Sequence, residues 1–273
     1  MLYILKLAVL GAVTVPAALA IILLGFFDPH GIHVYWIFRF WTWLILALGG
    51  VSIRVHGFDR LDPRQRYLFM VNHQSNVDIP VLVQGLPGFQ LRWIAKKELL
   101  RVPLFGWAMW AAKHITVDRA DSGGGLAVLK KAAVRMAGGI SLVVFPEGTR
   151  SPDGRLLPFK RGGFLLAAKT KVTIVPVTIS GSYKVLPKGE WRLRPGVVVV
   201  HVGEPVATDR PARELRSLVS KVRRIIEHNL SPGGSTVSEV DSSAPHTEFK
   251  VQDSKHALSL PNGFKVSVSG TKL

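Results

Sequence analysis

The sequence predicts an α/β fold: a mostly parallel sheet flanked by helices, preceded by a hydrophobic helical hairpin. Three observations lead there. From about residue 51 onward, short apolar runs of strand length alternate with segments of helix length. Two polar clusters, 72–78 and 145–151, each follow such an apolar run directly. Ahead of them, the first 54 residues hold two long apolar stretches that carry almost no charge.

The hairpin comes first. Residues 7–27 are uncharged over 21 positions, and a helix needs about 20 apolar residues to cross a bilayer core. Lys6 precedes them and Asp28-Pro29-His30-Gly31 makes a turn. The second stretch, 34–53, is interrupted by Arg39 and is dense in aromatics: Tyr35, Trp36, Phe38, Phe40, Trp41 and Trp43. Trp and Tyr favour the membrane interface. With Lys6 and Arg54 at the same end, the positive-inside tendency puts that end on the cytoplasmic side. Arg39 leaves two arrangements open, a spanning pair or a pair that dips into one leaflet. Ala18-Leu19-Ala20 resembles a signal cleavage site, but the apolar run continues through Phe27, so the segment is expected to be retained.

Strands are expected at 51–55, 67–71, 91–95, 115–117, 140–145, 173–179 and 197–202. Helices are expected at 79–84, 97–112 with a break near Pro103, 125–137, 162–171 and 212–229. Pro80 suits the first turn of its helix, where a missing N–H costs nothing, and Asp209 and Pro211 suit the start of the last helix. That last helix carries Arg213, Arg216, Lys221, Arg223 and Arg224, a basic face read as solvated. Residues 231–273 are polar and poor in aromatics and read as a disordered tail. The organisation expected is therefore 1–54 membrane-associated, 55–230 catalytic in character, and 231–273 tail.

Charge narrows the partners. The chain carries 35 Lys and Arg against 18 Asp and Glu. Residues 1–230 hold 31 and 14 of these, and the tail four of each. A basic body beside an apolar hairpin suits an anionic membrane surface. Nucleic acid is not expected, because the aromatics cluster in the hairpin and not among the basic residues. There is no cysteine, which excludes disulfides, thiolate metal sites and a cysteine nucleophile. Gly123-Gly124-Gly125 lacks the Gly-Lys-Ser/Thr of a Walker loop and reads as a turn.

Two constellations carry chemistry. In Asn72-His73-Gln74-Ser75-Asn76-Val77-Asp78, His73 and Asp78 lie just past the carboxyl end of a strand, where open α/β sheets place ligands. Five residues correspond to about 140° on a helix, so the two share no helical face. A loop running into a helix can still join them, leaving one imidazole nitrogen free to take a proton. The residues alone also allow a helix-capping Asp beside an incidental His. The second constellation is Phe145-Pro146-Glu147-Gly148-Thr149-Arg150-Ser151. Arg150 offers a planar fork for a phosphate, and Gly148 lets a ligand approach the backbone. Glu147 is expected to position Arg150 or to accept a substrate hydroxyl; a Pro-Glu-Gly turn with a surface ion pair stays open. Arg119, after another short strand, is a further phosphate candidate or the ion-pair partner of Asp118. Phe159-Lys160-Arg161-Gly162-Gly163 adds positive charge at a helix start.

These residues resemble the glycerolipid acyltransferases, specifically the bacterial 1-acyl-glycerol-3-phosphate acyltransferases. Asn72-His73 to Asp78 matches the family's His-x4-Asp motif, 145–150 matches its third motif, and Val175-Pro176-Val177 its fourth. The second motif is matched imperfectly by 113–119, where the usual Gly is absent. The resemblance covers about 50–205. It implies direct transfer of an acyl chain from acyl-CoA or acyl-carrier protein to the sn-2 hydroxyl of lysophosphatidic acid, giving phosphatidic acid. His73 would be the general base and Asp78 its orienting partner. Arg119, Glu147, Gly148, Thr149 and Arg150 would hold the acceptor. The resemblance implies no metal, no bound cofactor and no acyl-enzyme, in keeping with the lack of a Gly-x-Ser-x-Gly elbow. It places the protein at the inner membrane with its catalytic domain facing the cytoplasm. A related acceptor, another lysophospholipid or a lyso-aminolipid, would keep the chemistry.

Overall fold

The structure is a computed structural model describing residues 2–118, 124–208, 214–230 and 266–269. Two helices open the chain, α1 (Leu2–Phe27) and α2 (Ile32–Gly49). Both are long and apolar enough to cross a membrane. The turn between them is held by Asp28, whose Oδ2 accepts the N–H of His33 at 2.7 Å and of Val34 at 3.2 Å. Buried Arg92 donates to the carbonyl of Gly31 at 2.8 Å and ties that turn to the sheet. Arg39 does not face lipid. It donates to the carbonyl of Val83 at 2.7 Å, and Gln84 returns bonds to the Arg39 carbonyl and to Thr42 Oγ1, each at 2.8 Å. One face of α2, with Val34, Tyr35, Thr42 and Leu46, is therefore packed on protein. By contrast α1 exposes most of its apolar surface, including Leu5, Leu23, Phe26 and Phe27.

Among the described residues, eight strands form one sheet: β1 (Val51–His56), β2 (Leu68–Val71), β3 (Leu91–Lys96), β4 (Ile115–Val117), β5 (Ser141–Val144), β6 (Ile174–Ser180), β7 (Gly196–Val202) and β8 (Val266–Ser269). Their spatial order is β4-β3-β5-β2-β6-β7-β1-β8. Central β2 and β5 are buried at every residue, as continuous apolar runs in a sheet covered on both faces should be. In β1, Val51, Ile53 and Val55 point inward while Ser52 and Arg54 point out. All neighbours pair in parallel except β6 and β7, which pair antiparallel. The mostly parallel sheet thus has one antiparallel seam.

The helices are α3 (Asp78–Gly85), α4 (Phe105–Ala111), α5 (Gly124–Ala137), α6 (Gly162–Thr170), α7 (Ser182–Val185) and α8 (Leu215–Leu230). The expected break near Pro103 separates a 3-10 turn, Lys97–Arg101, from α4.

Three expectations need correcting. Residues 51–54, included in the membrane segment although a strand was expected at 51–55, belong to that strand, β1, which pairs with β7. Val266–Ser269, assigned to a disordered tail, are a strand beside β1; the other tail residues lie outside the described ones. Arg223, assigned to a solvated face, donates to the carbonyl of Leu157 at 2.8 Å and sits over the Phe159 ring. Asp209 and Pro211, the expected start signals of α8, lie outside the described residues.

Candidate active site

Because β2 and β5 are parallel neighbours, the two polar clusters leave the sheet side by side. The first is anchored by Asn72. Its amide nitrogen donates to the carbonyl of Ile179 at 2.9 Å and its oxygen accepts the Ile179 N–H at 2.7 Å. The side chain thus continues the β2–β6 ladder where the β2 backbone turns away. Ser75 Oγ donates to the carbonyl of Leu186 at 2.7 Å and fixes the other side of the loop.

The loop then enters α3, and Asp78 is its first residue. Asp78 is fully buried, and its Oδ2 accepts three hydrogen bonds at 2.8 Å, from His73 Nδ1, Gln74 N–H and Ser75 N–H. A carboxylate only accepts, so Nδ1 of His73 carries the proton and Nε2 keeps its lone pair. The pair therefore forms through a loop entering a helix, as the five-residue spacing requires. The capping reading fails: the backbone donors that Asp78 takes, Gln74 and Ser75, lie in the loop before α3 and not in its first turn.

The second cluster supports the first from beneath. The His73 ring stacks on Phe145, with centroids 3.8 Å apart. The Glu147 Oε1 accepts the His73 N–H at 2.7 Å and Oε2 accepts the Leu157 N–H at 2.8 Å. Both oxygens of the buried Glu147 are thus taken by backbone, which differs from the expected contact with Arg150 or a substrate hydroxyl. Its turn closes through Gly148, whose φ of 72° suits glycine and whose N–H donates to the Phe145 carbonyl. The Ser151 N–H reaches the His73 carbonyl at 2.8 Å.

Burial pushes the Glu147 carboxyl up to about 7, outweighing the Leu157 and His73 N–H bonds that pull it down. An unfolded Glu titrates near 4.5. Between those values the folded protein holds a proton that the unfolded chain has lost, so this group's contribution to stability falls as pH rises through the window. Glu147→Gln has no such proton. Urea unfolding at pH 5 and pH 8 is expected to show the wild type losing ground relative to Glu147→Gln as pH rises; a constant difference would contradict the assignment.

His73, Gly148, Thr149 and Arg150 open onto one cavity of about 1130 Å³. The wall includes Trp41 and Ile45 of α2, Leu7 and Leu10 of α1, and Trp93. It also includes His114, which burial and nearby Arg92 push down to about 3 and so keep neutral. Both ends of α1 therefore lie beside the α/β domain: Leu7 on this cavity, and Gly25 against Ala111 of α4. Cations at the rim are Lys6, Lys96, Arg150, Arg192 and Arg194. Lys188 Nζ donates to the Arg150 carbonyl at 3.0 Å. Arg119 lies outside the described residues, and Asp118 contacts Lys97 at 3.2 Å. Among the described residues no group of three or more His, Asp or Glu is placed to hold a metal ion. The roles of Asn72, Ser75 and Phe145 went unread in the sequence. Only the position of Asn72 at a strand end hinted at one.

A His–Asp pair at the carboxyl ends of parallel strands, opening on a large cavity lined by apolar helices, defines a class. Residues 52–180 match the family model described as Acyltransferase. Among named relatives, 1-acyl-sn-glycerol-3-phosphate acyltransferase of Limnanthes alba is 36% identical over 167 residues, covering 61% of this chain and 58% of that protein. The human alpha form of that enzyme is 38% identical over 166 residues, covering 60% and 58%. The chain thus matches somewhat over half the length of these relatives. Among solved structures, the 1-acyl-sn-glycerophosphate (LPA) acyltransferase PlsC of Thermotoga maritima superposes with a TM-score of 0.69 at 26% identity, covering 84% of this chain and 92% of that one.

Proposed function

We propose that the protein transfers an acyl chain from acyl-CoA or acyl-carrier protein to the sn-2 hydroxyl of lysophosphatidic acid, giving phosphatidic acid. The observation that carries this reading is the His73–Asp78 pair facing, together with Arg150, a cavity large and apolar enough for lipid chains. Its relatives' names point the same way.

His73 Nε2 takes the proton of the acceptor hydroxyl as its oxygen attacks the thioester carbonyl carbon. Asp78 stabilises the imidazolium that forms. When the tetrahedral intermediate collapses, the C–S bond breaks and the thiolate leaves, taking the proton from His73. No bond to the protein is needed. Arg150 neutralises the acceptor phosphate, with Gly148 and Thr149 beside it and Arg119 as a further phosphate ligand. Glu147 serves by holding His73. Holding donor and acceptor together is worth up to about 7–11 kcal/mol of the barrier.

The chain is read as a membrane-associated segment to about residue 50, an acyltransferase domain to 230 and a tail beyond. The hairpin lies along one leaflet, because α1 touches the α/β domain near both ends and α2 packs on α3. The membrane is the cell inner membrane with the domain on its cytoplasmic side, where Lys6 and Arg54 meet anionic headgroups.

The test offers purified protein lysophosphatidic acid, lysophosphatidylcholine or lysophosphatidylethanolamine with acyl-CoA. Strong preference for lysophosphatidic acid is expected. Arg150→Ala is expected to raise its apparent KM about 10- to 100-fold, the loss of one ionic hydrogen bond, with little change in donor KM. Equal use of the three acceptors, or an unchanged acceptor KM, would sink the phosphate assignment.

A further inference from the structure

Beside the site, α4 and the turn before it expose several apolar side chains of the α/β domain as a ridge. Val102 is 45% exposed, Phe105 49%, Trp107 59% and Trp110 56%. Gly106, Met109 and Ala111 of the same helix are buried, and Trp107 and Trp110 lie side by side, about 60° apart around it. So much aromatic surface on one short helix is unusual unless something apolar covers it.

The ridge is continuous with the exposed face of α1. The rings of Phe26 and Trp110 lie 5.8 Å apart. Gly25 packs so closely on Ala111 that a Cβ there would come within 2.7 Å of the alanine's own Cβ. Lys113 spans the joint, donating to the Gly25 carbonyl at 2.8 Å with its ammonium over the Trp110 ring. The two helices therefore present one rigid surface.

Charge identifies the occupant. Residues 96–113 carry Lys96, Lys97, Arg101 and Lys113 against one carboxylate, Glu98. Exposed Trp bordered by Lys and Arg is the composition of a membrane interface, and each cation near an anionic surface adds about 1 kcal/mol. We propose that the α4 ridge is a second membrane-inserting surface, seated in the same anionic phospholipid leaflet as α1. Phe105 and Met109 of that helix also line the His73 cavity. Lipid can thus pass from the leaflet to the cavity beside α4 without crossing water. The inference rests on the membrane association proposed above for its occupant. Its test reads lipid contact and not catalysis, so the two readings can fail separately.

Because the chain has no cysteine, Trp107→Cys in the full-length protein can carry one environment-sensitive fluorophore. Arg64→Cys, on a loop where the side chain is 90% exposed, is the control. Both are bound to phosphatidylglycerol–phosphatidylcholine vesicles with and without doxyl-labelled lipid. The label at 107 is expected to shift to the blue and to be quenched by doxyl lipid; the label at 64 is expected to do neither. Trp107→Glu combined with Trp110→Glu is expected to weaken vesicle partitioning at least about tenfold with an unchanged unfolding midpoint. A label at 107 that stays in water on vesicle-bound protein would overturn the proposal. So would a blue shift that doxyl lipid does not quench, which would mean a second copy of the chain covers the ridge.

Discussion

His73→Ala is expected to fold as the wild type does and to transfer acyl chains about 10²- to 10⁴-fold more slowly, the range for removal of a general base. The fold should survive because the ring contributes little to it. The imidazole makes one hydrogen bond, to Asp78, and one stacking contact, to Phe145. Its backbone contacts with Glu147 and Ser151 do not depend on the side chain. Asp78 keeps the two N–H donors of Gln74 and Ser75. Steady-state transfer beside a thermal melt checks both parts. Retained transfer, within tenfold of wild type in pure protein, would remove His73 from the mechanism.

Asp78→Asn should cost comparable activity and, unlike His73→Ala, stability as well. Three donors converge on one oxygen of a fully buried carboxylate. The other oxygen, Oδ1, is buried without a hydrogen-bond partner. An amide that keeps its oxygen on the three donors puts its NH2 where Oδ1 was, and an unpaired buried donor costs about 1–3 kcal/mol. The negative charge at the start of α3 is lost too, worth about 0.3–1 kcal/mol. The imidazolium loses its counter-ion, so a fall of about 10²- to 10⁴-fold in kcat is expected, with acceptor KM little changed. Chemical unfolding and kinetics on one preparation test this. A variant of full stability and near-normal kcat would show that Asp78 neither orients nor stabilises His73.

Much of the fold was legible because its central strands are buried on both faces. Runs such as Leu68–Val71 have no polar residue to blur them, and their ends are marked by Asn72 and by the turn at Phe145. The His–Asp pairing was legible because a strand end, a polar loop and a helix start followed in order. Pairings distant in sequence were not. The Asn72 bonds to Ile179, the grip of Glu147 on His73 and the reach of Arg223 to Leu157 join segments that no local pattern connects. Arg39 looked like an interruption of a membrane helix because hydropathy does not show that Val83 offers it a carbonyl. The strand at 51–55 was legible, but the end of the membrane segment was set at 54 because Val51 and Ile53 prolong the apolar run of α2. The signal was present in Gly50, which ends α2 in the left-handed conformation. The antiparallel seam follows from strand order, which strand composition does not encode.

The central claim is direct, His73-dependent transfer to an acceptor hydroxyl. Its most direct test mixes the purified protein with radiolabelled acyl-CoA, first alone and then with lysophosphatidic acid. Acyl-carrier protein is the donor if CoA thioesters are not used. The account predicts no label on the protein in either case, labelled phosphatidic acid only when the acceptor is present, and loss of that product in His73→Ala. Label retained covalently on the protein, or undiminished phosphatidic acid from His73→Ala, would contradict it.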